Sequence, residues 1–341
     1  MAKSGFFFLY ISLLILISSG CRTAPQKSGR VLSPMSIVPP REQQEPGKTI
    51  TQAGYKAEEF ISFLNSEHPG NRIGYRFQEH SPVVYGSVLE KTDNLSETAR
   101  TDTLEKEYAD RDGVFVHKID IADKNGWVPQ VWTFYIVPVT DGFEMLWVVE
   151  AKDKGLNEYY TAQQCFRYGG AGNAGWRKTI AESPAFSEYD LWQQQKTAGK
   201  PITSLSFVRR NNNWAAIPAT ENHIVCRTPM GLKFDIDRTH GDLTKVSELK
   251  PAFNPAGKSV FEPDIDCGLV TRVSPADDWV CALYWQRTTH ISDHHPADCL
   301  HTFVNIGPIP PGGRRAVLGR IYWMKASKDE LFSRWQKQWL R

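Results

Sequence analysis

The feature that most restricts the fold is a long succession of short apolar runs, separated by turn residues, with almost no helical pattern between them. Phe115, His117, Ile119 and Ile121 alternate with Val116, Lys118 and Asp120, as the side chains of a half-buried strand must. The runs VWTFYIV (131–137) and MLWVV (145–149) are apolar on both faces and flank Thr140-Asp141-Gly142, which predicts a hairpin of two well-buried strands. Further strands are expected over 72–77, 83–89, 161–168, 203–209, 214–218, 223–227, 232–237, 268–273, 279–284, 301–306 and 317–323. Asn211 to Asn213, Asp277-Asp278 and GPIPPGG (307–313) supply the turns. Such a series argues against a βαβ fold and for a sandwich or barrel; the expected form is a mainly β protein built as a large antiparallel β-sandwich.

Few helices are expected. YKAEEFISFLN (55–65) reads as a short amphipathic helix ended by His68-Pro69-Gly70, and EYDLW (188–192) as another short one. The polar interval 91–112 reads as a loop. At the C-terminus Ser327 and Glu330 form a capping box ahead of Leu331, Phe332, Trp335 and Trp339, which share one face of a helix that packs back on the sandwich.

The first 54 residues carry an address rather than a fold. Lys3, the apolar run 6–17 and the small residues Ser18-Ser19-Gly20 form an export signal over 1–20; its apolar run is shorter than the roughly 20 residues a membrane span needs. Small residues directly before Cys21 match a bacterial lipoprotein box, except that Ser18 stands where Leu is usual, so Cys21 is the expected lipidation site. Residues 21–54 are rich in Pro, Ser, Gln and Lys and read as a disordered tether, with one sandwich domain over 55–341. The expected location is the cell envelope, with the membrane reached only through the lipid. A net charge of +2, with signs mixed along the chain, gives no footprint for nucleic acid.

Chemistry concentrates in YWQRTTHISDHHPADCLHTFVNIG (284–307), which holds four of the nine histidines. His290, His294, His295 and His301 stand among Asp293 and Asp298. One reading is general acid–base chemistry, a histidine poised by an aspartate acting on a hydroxyl, a hemiacetal or the α-proton of a uronate, with Arg287 gripping a substrate carboxylate. A second is a metal site using His290, His294 or His301; the surroundings read as strand, turn, strand, so His294 and His295 would point to opposite sides. The third is a polar turn whose histidines only satisfy backbone groups. After Cys21, five cysteines remain, Cys165, Cys226, Cys267, Cys281 and Cys299; none forms a CxxC pair, which speaks against a cysteine zinc site.

A second candidate region combines YYTAQQCFR (159–167) with FSEYDLW (186–192). Gln163, Gln164 and Arg167 suit sugar hydroxyls and Glu188 or Asp190 offers a carboxylate, although Gln163 and Gln164 cannot both face one cleft. Gly170, Gly172 and Gly175 match GxGxxG, but no βαβ unit surrounds them, so a flexible glycine loop is the better reading.

The segments YYTAQQCFR, AFSEYDLW, HISDHHPADCLH, NIGPIPPGGRRAVLGRIYW and KDELFSRW resemble a family of exported proteins of planctomycete-type bacteria; that resemblance implies export and no particular activity. More loosely, the many-stranded pattern resembles the galactose-mutarotase-like supersandwich, which hosts sugar epimerases, polysaccharide lyases and non-catalytic binding domains. The catalytic histidine and glutamate of the epimerases have no residue-by-residue counterpart here.

Together these readings give an exported envelope lipoprotein that binds, and as an enzyme would process by a lyase or epimerase route, a carbohydrate, an acidic polysaccharide being the case that uses Arg287. The expected site has His290, Asp293 and His295 as catalytic groups and Trp285, Arg287, Asp298, Gln164, Arg167 and Glu188 on the substrate, with no cofactor and no resident metal. The alternatives are a non-catalytic surface scaffold and a histidine-ligated metalloprotein.

Overall fold

Aromatic and β-branched runs assemble into two large sheets that face each other. The computed structural model describes residues 33–38, 50–51, 61–83, 95–122, 127–169, 182–200, 203–248 and 259–340. The signal 1–20, Cys21, most of the tether, residues 55–60 and the glycine loop Gly170 to Gly175 lie outside the described residues. Numbered in chain order, the first sheet runs β1 (Met35–Val38), β3 (Ile61–Asn65), β4 (Arg72–Val83), β8 (Thr161–Arg167), β16 (Cys299–Asn305), β15 (Thr288–His294), β11 (His223–Arg227) and β12 (Ser259–Phe261). The second runs β10 (Asn213–Ala216), β9 (Ser206–Arg210), β13 (Val270–Val273), β14 (Trp279–Trp285), β17 (Arg314–Lys325), β7 (Gly142–Ala151), β6 (Gln130–Val139), β5 (Phe115–Ile121) and β2 (Ile50–Thr51). Pairing is antiparallel except at the edge pairs β11–β12 and β2–β5. The fold is thus the expected mainly β sandwich, and the β6–β7 hairpin forms at Asp141-Gly142 as the turn residues indicate.

Facing side chains interdigitate between the sheets. Phe63 lies 4.5 Å from Phe143 and Phe77 lies 4.1 Å from Phe134, ring centre to ring centre. Trp285 donates its indole N–H to the Tyr75 hydroxyl across the core at 2.8 Å. A buried indole with its one donor satisfied contributes its full apolar area without a desolvation penalty.

Three helices dress the sheets. α1 (Leu95–Ala109) lays Leu104 and Tyr108 on the outer side of β6 and β7, and Arg314 ties it down through Asp102 and Glu105. α3 (Pro229–Arg238), which follows α2 (Tyr189–Thr197), covers part of β15 on the outer side of the first sheet. α5 (Lys328–Trp339), which follows the short α4 (Leu243–Glu248), buries Leu331 and Trp335 against Tyr322, Val280 and Met324; its capping box at Ser327 and Glu330 is formed as expected.

Four expectations need correction. Residues 61–65 form β3 rather than the end of a helix, because Ile61 and Phe63 alternate into the core between β1 and β4. The interval 91–112 contains α1, whose apolar stripe is narrow and includes the buried Thr101. Residues 232–237 are helical, not a strand: Thr228 caps the helix by accepting from the Gly231 amide and Pro229 opens its first turn, which outweighs the alternation of Leu232, Phe234 and Ile236. Within the presumed tether, Met35–Val38 and Ile50–Thr51 pair at the edges of the two sheets.

Gly319 sits opposite Trp285 in the β14–β17 register, and a Cβ there would stand 2.3 Å from the indole Cε3. The indole is pinned by Tyr75 and cannot yield. Gly319→Val is therefore expected to lower the unfolding free energy by about 2–3 kcal/mol, as overpacking does, read from the urea midpoint; an unchanged midpoint would contradict this packing.

Candidate functional site

Residues alternate sides along β15 and β16, so the histidine-rich stretch divides into two clusters, one inside the sandwich and one on the outer side of the first sheet. Inside, Arg272 of β13 crosses from the second sheet to the acids of the first. Its Nη1 donates to Asp298 Oδ1 at 2.8 Å and to the Phe186 carbonyl at 2.9 Å, and its Nε donates to Ser206 Oγ at 2.9 Å. Its Nη2 lies 3.4 Å from Glu188 and 3.8 Å from Asp293, and the guanidinium stacks 4.5 Å over Tyr168. Asp298, held at φ 50° after a 3₁₀ turn over His295–Ala297, also accepts from Ser187 Oγ at 2.6 Å and from the Glu188 amide at 3.2 Å. His295 Nε2 stands 2.6 Å from Glu188 and its Nδ1 3.6 Å from Asp293. Arg272, Asp293, His295 and Asp298 are fully buried and Glu188 is nearly so.

The electrostatics follow from that sealing. Burial pushes the Glu188 carboxyl up, but Arg272, His295 and the Leu205 amide outweigh it and bring the value down to about 2. Burial, with Glu188 as a like charge, raises Asp293 against the pull of His295 and Arg272. Burial disfavours the His295 imidazolium, yet Asp293 and Glu188 together raise it above its ordinary value. Two cations are thus compensated by two carboxylates while Asp293 is the group inclined to hold a proton. Glu188, Asp293 and His295 have the spacing of metal ligands, but the guanidinium of Arg272 already supplies the cation there. The cluster joins the two sheets electrostatically.

The outer side of the first sheet carries a different set. The register aligns Arg167, Cys299, His294 and His223 in one row across β8, β16, β15 and β11. The next row is Arg76 on β4, then Cys165, His301, Ser292 and Val225. None of these nine positions is acidic. His223 and His294 stack with ring centres 3.8 Å apart and are half-buried, whereas Arg76, Arg167, Cys165, Cys299 and His301 are buried. Burial, then repulsion from His223, His301, Arg167 and His295, lowers His294 to about 3, so it is neutral at pH 7. A further row holds Glu79, Gln163, Phe303, His290 and Arg227 and so includes an acidic position; His290 lies under α3, 4.0 Å from Asp235, which Arg227 also engages.

The expected site is therefore not one constellation. Asp293, His295, Asp298 and Glu188 come together in the interior. His290 and Arg167 belong to the outer face. Trp285 is closed inside the core and presents no ring face to a ligand. Gln164 also points inward, donating to the Phe77 carbonyl at about hydrogen-bond length and accepting from Tyr75 at 3.3 Å, while Gln163 points out. Arg287, at φ 64°, bonds Asn305 and the Gly307 carbonyl and so braces a turn. Sequence reasoning missed Arg272, Arg76, Asp235 and His223: Arg272 is near in the chain but on the other sheet, Arg76 and His223 come near through strand order, and Asp235 through the packing of α3 on β15.

No protein-family model and no curated protein matches the sequence. Among solved structures the chain is similar to a galactose mutarotase-like protein from Lactobacillus casei ATCC 334 (TM-score 0.32, 7% identity, 78% of this chain and 97% of that one). It is similar to the Slr1438 protein from Synechocystis sp. PCC 6803 (TM-score 0.32, 6% identity, 78% and 92%). A third likeness is to an aldose 1-epimerase-like protein from Escherichia coli K12 (TM-score 0.30, 7% identity, 63% of this chain and 66%, just under two thirds, of that one). The two sheets by themselves make the protein a mainly β two-sheet sandwich.

Removing one partner from a sealed network strands the others without water, so Arg272→Met is expected to cost about 3–5 kcal/mol in urea unfolding. Glu188 has a folded value depressed below its ordinary 4.5, so its stabilising contribution is complete above that value and fades as pH falls towards about 2. The decline in stability across this acid range is expected to be shallower in Glu188→Gln than in the wild type. Equal slopes for the two proteins would show that Glu188 is not held low.

Proposed function

We propose that the protein is an exported cell-envelope lipoprotein, anchored through Cys21, that binds an acidic carbohydrate on the outer side of its first sheet. The observation that carries this reading is the pair of rows from Arg76 to His223: two guanidiniums, three imidazoles and a serine hydroxyl on one face, with no carboxylate among those positions. Guanidiniums match a uronate carboxylate in planar geometry, and imidazole nitrogens and the Gln163 amide suit sugar hydroxyls. His294, neutral at pH 7, and the half-buried His223 give the face its accessible border. An acid–base role in lyase or epimerase turnover would fall to His290, the outer-face histidine with a carboxylate, Asp235, beside it.

The competing reading, a structural surface lipoprotein, draws support from the sealing of Asp293, His295 and Asp298, three residues expected to be functional. Binding of a uronate polymer and of a neutral polymer of similar size, followed by calorimetry, separates the two. The expected result is binding of the uronate polymer alone, weakened at least tenfold in Arg167→Ala and unchanged in Arg334→Ala, whose guanidinium is bound to Asp141 on the far sheet. Failure to bind either polymer, or an Arg167→Ala protein that is natively folded and binds as the wild type does, sinks the carbohydrate reading.

A further inference from the structure

Within the outer face, three side chains have a geometry that sugar recognition does not require. Cys165 of β8 stands opposite His301 of β16, and Cys299, two residues before His301 on the same strand, projects from the same side. The two Sγ atoms and one imidazole nitrogen all lie within 4.8 Å of one another, and all three residues are buried. Cys299 Sγ is 3.4 Å from His301 Nε2. Two ligands at about 2.3 Å and 2.0–2.1 Å from one ion, subtending a tetrahedral angle, stand roughly 3.5 Å apart.

The other face of the imidazole is also arranged. His301 Nδ1 lies 3.1 Å from Ser292 Oγ; in the tautomer that donates Nδ1–H to this hydroxyl, the Nε2 lone pair is turned towards the Cys299 sulfur. Arg167 stands opposite Cys299 in register and Arg76 opposite Cys165. None of the five cysteines among the described residues is joined in a disulfide.

We propose that Cys165, Cys299 and His301 form a binding site for one zinc-class ion, held by two thiolates and one imidazole. Binding releases the two thiol protons, so a dication and two thiolates leave the site neutral. Soft sulfur donors select such an ion over calcium or magnesium, which require oxygen. Three protein donors leave a fourth tetrahedral position for an exogenous ligand. The site shares His301 and its strands with the proposed carbohydrate face, but ion binding is measured without any sugar, so either finding can fail alone.

The test uses the full chain, reduced and stripped with a chelator, and titrated with Co(II). One equivalent of Co(II) is expected to give a thiolate-to-cobalt charge-transfer band with the intense visible absorption of tetrahedral cobalt, displaced by one equivalent of Zn(II). Cys165→Ser and Cys299→Ser are each expected to abolish the charge-transfer band or weaken affinity at least a hundredfold. Ser292→Ala, which removes only the hydroxyl behind the imidazole, is expected to weaken it about tenfold. Cys281→Ser, buried on the other sheet, is expected to leave the band unchanged. A reduced wild-type protein with native circular dichroism and no band at one equivalent would overturn the site, whatever the variants do. A band that persists in the folded double variant Cys165→Ser/Cys299→Ser, or a Cys165–Cys299 disulfide in the protein as isolated, would overturn it equally.

Discussion

Arg272 is the interaction on which the interior of the sandwich depends. An arginine on a central strand, pointing into a hydrophobic core, is tolerable only if its charge is compensated. Asp298, Ser206 and the Phe186 carbonyl accept from its Nη1 and Nε, while Nη2 faces Glu188 and Asp293 as ion-pair neighbours, and these groups come from both sheets and from the segment leading into α2. Apolar packing between sheets is forgiving of small shifts. A charge network with one geometric solution is not, so Arg272 fixes how the turn between β15 and β16 sits over the second sheet.

This division explains why the densest run of titratable residues is not a single site. A strand sends successive side chains to opposite sides, and β15 passes through the sheet plane carrying Asp293 inwards and Ser292 and His294 outwards. The interior half is consumed in holding the fold together. The outer half, joined by Arg76, Arg167, Cys165 and His223 from three other strands, retains chemistry that can engage a ligand.

Much of the fold was legible in the chain. Period-two alternation over Phe115–Ile121, the β6–β7 hairpin and the Ser327 capping box all express local rules that tertiary structure left in force. Where local rules competed, the weaker signal was the one that decided. Thr228-Pro229 overrode the alternation of Leu232, Phe234 and Ile236, and α1 was hidden because its buried stripe runs through a threonine. The site was legible only in part for a different reason. The histidine stretch announces its own chemistry, but Arg272, Arg76 and Cys165 reach it through the strand orders β13–β14–β17 and β4–β8–β16, which no local pattern specifies.

The alternation along β15 also makes the strand a gauge of its own length. The strand absorbs one irregularity, the register shift between Thr288 and His290. Beyond it, loss of one residue would exchange the two sides: an imidazole would take the place of a carboxylate in the pocket around Arg272, and a carboxylate would emerge among the guanidiniums and imidazoles outside. From His290 to His294 neither face could be altered by such a change without damage to the other.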